Sequence, residues 1–433
     1  MKLAINGGVP VRNKPFPAYR TIGNEEKEAV ARVLDSGILS QYLGCWHDNF
    51  YGGPQVRALE EEWAEYFHVR NAIAVNSCTS GLYCAMGATG IEPGEEVIVS
   101  PYTMSASAVA PLIYNAIPVF ADIENDYFCL NVESVAEKIT GRTRALIVVD
   151  IFGQPYNAEK INELAEKHGL IVIEDAAQAP GALYKGKFTG TLGHIGVFSL
   201  NYHKHIHCGE GGIVVTNNDE LAERVRLIRN HAESVVEAKG VKNLVNMIGF
   251  NFRMTEVEAA IAGCQLKKLK KLLDKRRRNC EYLAEHLTRI SAITAAKVRE
   301  NCEHSWYVQP FKFDENTAGI SRDKYIEAVK AELSIIELRE TEGVKIGCGY
   351  VKPLYLLPIF QKRTAYGGKG FPFNLPECSK TIKYTKGLCA VAERMYEREL
   401  FTHELMHSFM KKEDLDDVVR AFSKVWENRH ELK

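Results

Sequence analysis

Between Ala72 and Thr216 short apolar runs alternate with stretches of helical period. The runs are Ala72–Val75, Glu96–Val99, Ile117–Ala121, Ala145–Val149, Leu170–Ile173, Gly196–Leu200 and Gly212–Thr216. Between them lie Gly81–Ala88, Ala106–Tyr114, Val132–Ile139 and Ala158–His168. The runs are continuously apolar, not alternating, which predicts strands buried on both faces. Strands that alternate with helices predict parallel βαβ units, and right-handed crossovers place helices on both sides of the sheet. The last two runs, around Ser199 and Val214, are joined by a glycine-rich turn too short for a helix. One of that pair is therefore expected to run antiparallel to the rest.

The flanks read differently. Asn24 to Leu34 is helical, with Asn24 as the expected N-cap and glutamates in the first turn. Gly44 to Gly53 reads as a loop carrying Trp46, Phe50 and Tyr51. Gln55 to Phe67 is an amphipathic helix whose apolar face is Val56, Leu59, Trp63 and Phe67. After Met254 a long helical pattern shows a stripe of Val257, Ile261, Cys264, Leu269, Leu272 and Leu273. The basic run Lys267–Arg278 is assigned to its solvated face. From about Arg289 the composition shifts to strand-like His304–Lys312, a helix at Arg322–Glu332, a Gly-, Pro- and Tyr-rich loop at Gly343–Pro376, and a closing helix at Glu413–Trp426. The expected architecture is α/β. Residues 1–270 form a large domain, with an N-terminal arm and a seven-stranded, mostly parallel sheet flanked by helices. Residues 271–433 form a smaller C-terminal α+β domain.

Composition narrows the function classes. The 433 residues are 46% hydrophobic and 25% charged, with a formal net charge of −1. No global field favours nucleic acid or an anionic membrane surface. No apolar run reaches the length of a membrane span, and the first residues lack the apolar core of a signal peptide. The 11 cysteines include no C-x-x-C pair, so they read as reduced thiols packed as small hydrophobes in a cytoplasmic protein. Structural zinc is not expected.

The candidate chemistry lies where apolar runs end, which is where open α/β sheets bind ligands. Asp175 ends one run and is followed by small residues, with Gln178 three positions on. Lys204 follows the next run, after Ser199 and before Gly209–Gly212. A carboxylate and an amine so placed suit pyridoxal phosphate (PLP). The amine bonds covalently to the aldehyde, and the carboxylate keeps a proton on the ring nitrogen. Asn76-Ser77-Cys78-Thr79-Ser80-Gly81 opens a helix after the first run, where free N–H groups bind phosphate; taken alone, simple N-capping by Ser or Thr is the better explanation. Tyr102-Thr103-Met104 follows the second run and would cover a ring face or pack in the core. His203, His205 and His207 crowd Lys204. Alternation along an extended segment would splay these side chains, and no further ligands complete a metal site.

Taken together, these residues resemble the DegT/StrS-type sugar aminotransferases. The resemblance spans nearly the whole chain. It rests on Cys78-Thr79-Ser80, Pro101-Tyr102-Thr103, Glu174 to Gly181, Phe198-Ser199 followed by Lys204, Gly209-Glu210-Gly211-Gly212, and Gly249 to Glu256 with Ala259-Ala260-Ile261. It implies a fold of the aspartate aminotransferase type (fold type I) and PLP as cofactor, with pyridoxamine phosphate as its aminated form. In that reading Lys204 binds the cofactor aldehyde, Asp175 pairs with the ring nitrogen and Gln178 contacts the ring hydroxyl. Thr79, Ser80 and Ser199 hold the phosphate, and Met104 lies against the ring. Asn251 reaches the phosphate of the other protomer, which makes the active unit a homodimer with shared sites.

Three positions depart from the family pattern. Met104 stands where an aromatic is usual, Cys78 where glycine is common, and Asp150 where histidine is common. The segments Ile5–Arg12 and Gly349–Tyr355 look more like the subgroup acting on cyclitols and related keto rings, which includes enzymes of scyllo-inosose amination and of aminohydroxybenzoate formation. The implied reaction moves an amino group from glutamate or glutamine to a keto sugar or keto cyclitol, nucleotide-linked or free, in amino-sugar, cell-surface glycan or secondary-metabolite biosynthesis. Two alternatives remain: a PLP-dependent sugar dehydratase, which replaces the lysine by histidine, and a non-catalytic sensor on the same fold.

Overall fold

The structure, a computed structural model, describes residues 2–376, 378 and 383–432. Seven strands form one sheet: β1 (Asn71–Val75), β2 (Glu96–Val99), β3 (Ile117–Phe120), β4 (Thr143–Val149), β5 (Ile171–Asp175), β6 (Ile195–Ser199) and β7 (Gly212–Thr216). Their spatial order is β1-β7-β6-β5-β4-β2-β3. All are parallel except β7, which runs antiparallel to both β1 and β6. The connection between β6 and β7, residues 200–211, folds as turns and bends with no crossover helix, and so returns the chain antiparallel. Side chains alternate across the sheet. Ile73 and Val75 join the core under the helices Cys78–Ala88 and Asp219–Arg229. Ala72 and Ala74 face Trp63 and Phe67 on the helix Pro54–Phe67, together with the helix Glu256–Leu266.

A second, antiparallel sheet has the order Ile293–Ala295, Gln309–Phe313, Leu400–His403, Ile346–Cys348. Its core includes residues of the helices Arg322–Ala331 and Lys412–Glu427, and also Leu3 and Phe16 from the start of the chain. The helix Leu269–Leu287 spans both bodies: Leu269 and Leu273 pack with the large sheet, Cys280, Leu283 and Leu287 with the small one. Leu354, Tyr355, Phe360, Phe373, Tyr384 and Met395 return to the core of the large sheet. No helix among the described residues is long and apolar enough to cross a membrane.

Four sequence expectations change. The first helix begins at Asn24, but its N-cap is Gly23, whose N–H donates to Glu26. The long pattern after Met254 is two helices, Glu256–Leu266 and Leu269–Leu287, which break around Lys267 and Lys268. The basic run is not wholly solvated. Arg276 is buried and donates to the carbonyls of Trp306 (2.9 Å) and Tyr307 (3.1 Å). Arg277 donates to the carbonyls of His304 (2.9 Å) and Gly181 (3.0 Å). The segment His304–Val308 is irregular rather than strand, because β-pairing begins only at Gln309. Its carbonyls need other donors, and guanidinium groups satisfy them.

Two local features fix the ends of the strands. Gly212 begins β7 opposite Val75, and a Cβ there would sit 2.7 Å from the Cys78 backbone nitrogen and 2.7 Å from the Ser77 carbonyl carbon. Only glycine lets the turn after β1 lie against β7. Behind β4 and β5, Asp150 and Glu174 are wholly buried. Glu174 accepts from the backbone N–H groups of Gly190 (2.7 Å), Leu192 (2.8 Å) and Gly193 (3.0 Å). Asp150 Oδ1 accepts from Tyr156 N at 2.9 Å, while its Oδ2 faces Glu174 without a donor among the described residues. Burial, with the neighbouring carboxylate, pushes Asp150 well above the usual carboxylate range; burial pushes Glu174 up too. Two carboxyls so placed share a proton.

Gly212→Ala is expected to lower the melting temperature, by about 1–3 kcal/mol of overpacking; an unchanged melting curve would contradict the close approach. Because the Asp150–Glu174 pair binds its proton more tightly in the folded protein, its stabilising contribution is present at acid pH and is lost as pH rises above the ordinary carboxylate range. Asp150→Asn can still accept from Tyr156 and donate to Glu174. Thermal melts across pH 5–9 should then show a shallower alkaline loss of stability in the variant than in the native chain.

Candidate active site

Lys204 is placed by the turn that leaves β6. After Ser199, Asn201 closes the chain: Lys204 N donates to Asn201 O at 2.9 Å, and His203 N to Asn201 Oδ1 at 3.2 Å. The loop is closed behind it by Leu200 N on Gly211 O (2.9 Å) and Cys208 N on Leu200 O (3.1 Å). Lys204 Nζ lies over the Tyr307 ring, 4.1 Å from its centroid. That contact holds the amine inside the molecule instead of in solvent.

Asp175 ends β5 and is buried. Its Oδ2 accepts from Ser107 Oγ at 2.7 Å and its Oδ1 from Ala177 N at 3.2 Å. Burial pushes its carboxyl up from the ordinary range, while Ser107, the Ala177 N–H and the charge of Lys204 pull it down. No ion pair to Asp175 forms among the described residues. The carboxylate is therefore short of a cation, which a protonated heterocycle would supply.

Gln178 is fixed at both ends. Its Oε1 accepts from Phe152 N at 2.7 Å and its Nε2 donates to Tyr350 Oη at 2.9 Å. The turn after β1 leads into the helix Cys78–Ala88, capped by Ser77, whose Oγ accepts from Ser80 N at 3.0 Å. The backbone N–H groups at the head of this 11-residue helix, with the Thr79 hydroxyl, suit an anion.

These groups meet. Lys204, Asp175, Gln178, Thr79, Ser199 and Met104 line one cavity of about 310 Å³. Met104 is 63% exposed, at the mouth of this space and not beneath it. Two expected residues do not line the cavity. Ser80 is buried, and its hydroxyl is committed to Asn76 Oδ1 (2.7 Å) and Ser77 Oγ (2.9 Å). Asn251 is exposed; its side chain accepts from Arg253 Nε at 2.8 Å. Of the three histidines, His203 lines the cavity, whereas His205 Nε2 meets the Ser305 carbonyl at 3.0 Å and burial keeps it neutral. Tyr102 is core, with its hydroxyl on the Gly349 carbonyl.

Sequence reasoning missed several contributors: Tyr307, Tyr350 and Asn201 in the lining, and Ser107 behind Asp175. Tyr307 and Tyr350 arrive from the C-terminal part, where nothing in the periodicity pointed to a site. Tyr350 did stand in the segment Gly349–Tyr355, which carried the subgroup resemblance. Ser107 lay unremarked inside a helical pattern.

The arrangement offers an amine nucleophile, a buried acid lacking a cation, and an anion seat at a helix head. Known proteins carry matching chains. The profile of the DegT/DnrJ/EryC1/StrS aminotransferase family matches residues 20–383. The spore coat polysaccharide biosynthesis protein SpsC of Bacillus subtilis is 31% identical over 420 residues, covering 95% of this chain and 97% of that protein. The L-glutamine:2-deoxy-scyllo-inosose aminotransferase of Streptomyces kanamyceticus is 30% identical over 442 residues, covering 99% and 97%. Among solved structures, DesI in the presence of its TDP-sugar product superposes with a TM-score of 0.79 at 28% identity, covering 99% of this chain and 97% of that one. With a family profile across most of its length and relatives matched nearly end to end, the chain is an aminotransferase that belongs to the DegT/DnrJ/EryC1/StrS family.

Proposed function

We propose that this aminotransferase uses PLP to move an amino group from glutamate or glutamine to a keto sugar or keto cyclitol. The carrying observation is that Lys204, Asp175, Gln178, Thr79 and Ser199 share one cavity. The cavity fits the cofactor by chemistry: the buried Asp175 carboxylate, short of a cation, would take the protonated ring nitrogen, the head of the helix Cys78–Ala88 would take the phosphate, and Lys204 would supply the amine. When bound, PLP supplies the aldehyde that accepts the amino group and the ring that draws off negative charge from the donor's α-carbon.

The chain's own residues do the rest. Asp175 keeps the proton on the ring nitrogen. Lys204 Nζ would hold the cofactor through its aldehyde and, once free, would move the proton at the donor's α-carbon as base and then acid. Thr79 and Ser199 hold the phosphate with the N–H groups of the helix head, and Ser80 sets the shape of that turn. Gln178 Nε2 donates to the ring hydroxyl. Met104 covers the ring from the mouth of the cavity. Asn251 serves the phosphate site of a second protomer, in a homodimer with shared sites. The large body, built mainly from residues 1–270, would carry the cofactor, and residues 271–433 would bring Tyr307 and Tyr350 to it. The near-neutral chain works in the cytoplasm, without nucleic acid or membrane as partner.

The substrate class rests on the relatives, one acting on a cyclitol ketone with glutamine and another crystallised with a nucleotide-linked sugar. Lys204 supports amino transfer over sugar dehydration. Mass analysis of reactions containing glutamate or glutamine with a panel of free keto cyclitols and nucleotide keto sugars should reveal an aminated product with one acceptor class. Elimination of a hydroxyl without donor consumption would favour the dehydratase.

Lys204→Ala should cut turnover by about a thousandfold or more while leaving the melting temperature near that of the native chain. Full turnover in that variant would end the scheme. Asp175→Asn should retain bound PLP, through Lys204 and the phosphate seat, and lose most turnover.

A further inference from the structure

Tyr350 is held in a conformation its residue type disfavours. Its φ is 53°, in the left-handed region. Several contacts impose this. Gly349, at φ 72°, packs so tightly that a Cβ would lie 2.2 Å from the Tyr396 carbonyl oxygen. Gly349 N donates to Leu400 O at 2.8 Å, and its carbonyl accepts from the buried Tyr102 hydroxyl. The Tyr396 carbonyl is itself fixed by Arg322, which donates to Met395 O (3.1 Å), Tyr396 O (2.9 Å), Glu397 O (3.1 Å) and Leu400 O (2.9 Å). The Tyr350 ring then meets Phe152 edge to face, with centroids 4.8 Å apart. A strained residue so over-determined is where function is to be sought.

What the strain achieves is visible at Gln178. The Phe152 N–H can only donate, so it takes the Gln178 carbonyl end and leaves the NH₂ end to Tyr350. Burial raises the Tyr350 hydroxyl above the usual tyrosine range, so it stays protonated at neutral pH. Its oxygen takes one of the two Nε2 hydrogens, and the second is left for the cavity that both residues line.

We propose that Tyr350 is a positioning residue: it locks the Gln178 amide as a hydrogen-bond donor into the cavity before any ligand arrives. The inference rests on the PLP reading above for the ligand that receives this donor. Neither the strain at Tyr350 nor its bond to Gln178 depends on that reading.

The test uses the purified full chain with PLP as the probe, and the variants Tyr350→Phe, Gln178→Ala and the pair. Spectrophotometric titration of PLP into apoprotein gives the affinity. Tyr350→Phe should weaken PLP binding roughly two- to tenfold. The double variant should bind no more weakly than Gln178→Ala alone, because the tyrosine acts through the amide. The pH midpoint of the bound cofactor's visible absorbance should move upward in both single variants, since Gln178→Ala removes the donor to the ring oxygen and Tyr350→Phe leaves that donor free to turn away. A tyrosine that merely packs would leave that midpoint in place. Wild-type affinity and midpoint in Tyr350→Phe, or losses that multiply in the double variant, would overturn the proposal. If the apoprotein of Tyr350→Phe melts well below the native chain, the double-mutant cycle is read on apoprotein melting instead. There, additive losses from Tyr350 and Gln178 would equally overturn it. Native protein that takes up no PLP at all would sink the functional reading and leave the melting cycle to decide the Tyr350–Gln178 coupling.

Discussion

A carboxylate placed at the end of a central strand, under the helices of an α/β sheet, cannot remain there without donors or a counter-charge. Asp175 is that carboxylate. Its strand β5 lies between β4 and β6, so its neighbours at the strand ends are Asp150 on one side and the loop bearing Lys204 on the other. The adjacent acids, Asp150 and Glu174, resolve their crowding by sharing a proton and by three backbone N–H groups. Asp175 is treated differently. It has a serine hydroxyl and one backbone N–H, and the amine of Lys204 acts on it only through space. The deficit of positive charge is what distinguishes this end of the sheet, as a candidate binding site, from a plain core.

The sheet supplies one side of the cavity, and the chain beyond residue 300 supplies another. Tyr307 reaches Lys204 because Arg276 holds the carbonyls of Trp306 and Tyr307 in place before the strand at Gln309 begins. Tyr350 reaches Gln178 because Arg322 and Tyr102 pin the chain around Gly349. Two buried guanidinium groups on helices of the second body thus set two aromatic walls of a site whose reactive groups come from the first. This long-range assembly explains why the helix Leu269–Leu287 packs into both cores.

The large sheet was legible because its strands are apolar at every position, a pattern that only burial on both faces explains. All seven runs became strands, and the antiparallel β7 followed from a glycine-rich connection that carries no crossover helix. Asp175, Gln178 and Lys204 were legible because each follows directly on a strand end. The missed parts share one property: their placement depends on contacts distant in sequence. The break at Lys267–Lys268 carries no proline or glycine. Arg276 and Arg277 read as solvated charge until unpaired carbonyls some thirty residues away are seen to need them. Ser80 sits in the phosphate turn, yet its hydroxyl is spent on the turn itself. Tyr307 and Tyr350 lie in stretches with no periodicity to place them.

Left-handed backbone at non-glycine residues costs about 1–3 kcal/mol each, and three such residues converge near Gln178. Phe152 (φ 61°) presents its N–H to the side-chain amide, Trp306 (φ 54°) follows Ser305, whose hydroxyl donates to the Gln178 backbone carbonyl at 3.1 Å, and Tyr350 (φ 53°) holds the other end of the side-chain amide. Scattered strain would be a liability without a return. Here one strained residue stands beside the backbone of Gln178 and two hold its amide, which fixes the direction of a donor that would otherwise rotate. A neutral amide contributes little charge, so its value in the cavity lies in not having to reorient when a ligand arrives. The same economy governs Lys204 and Asp175, which contacts within the chain hold in place through Tyr307 and Ser107. Each of these contacts is made by the fold itself, so the two cores carry the free energy that keeps the site in shape.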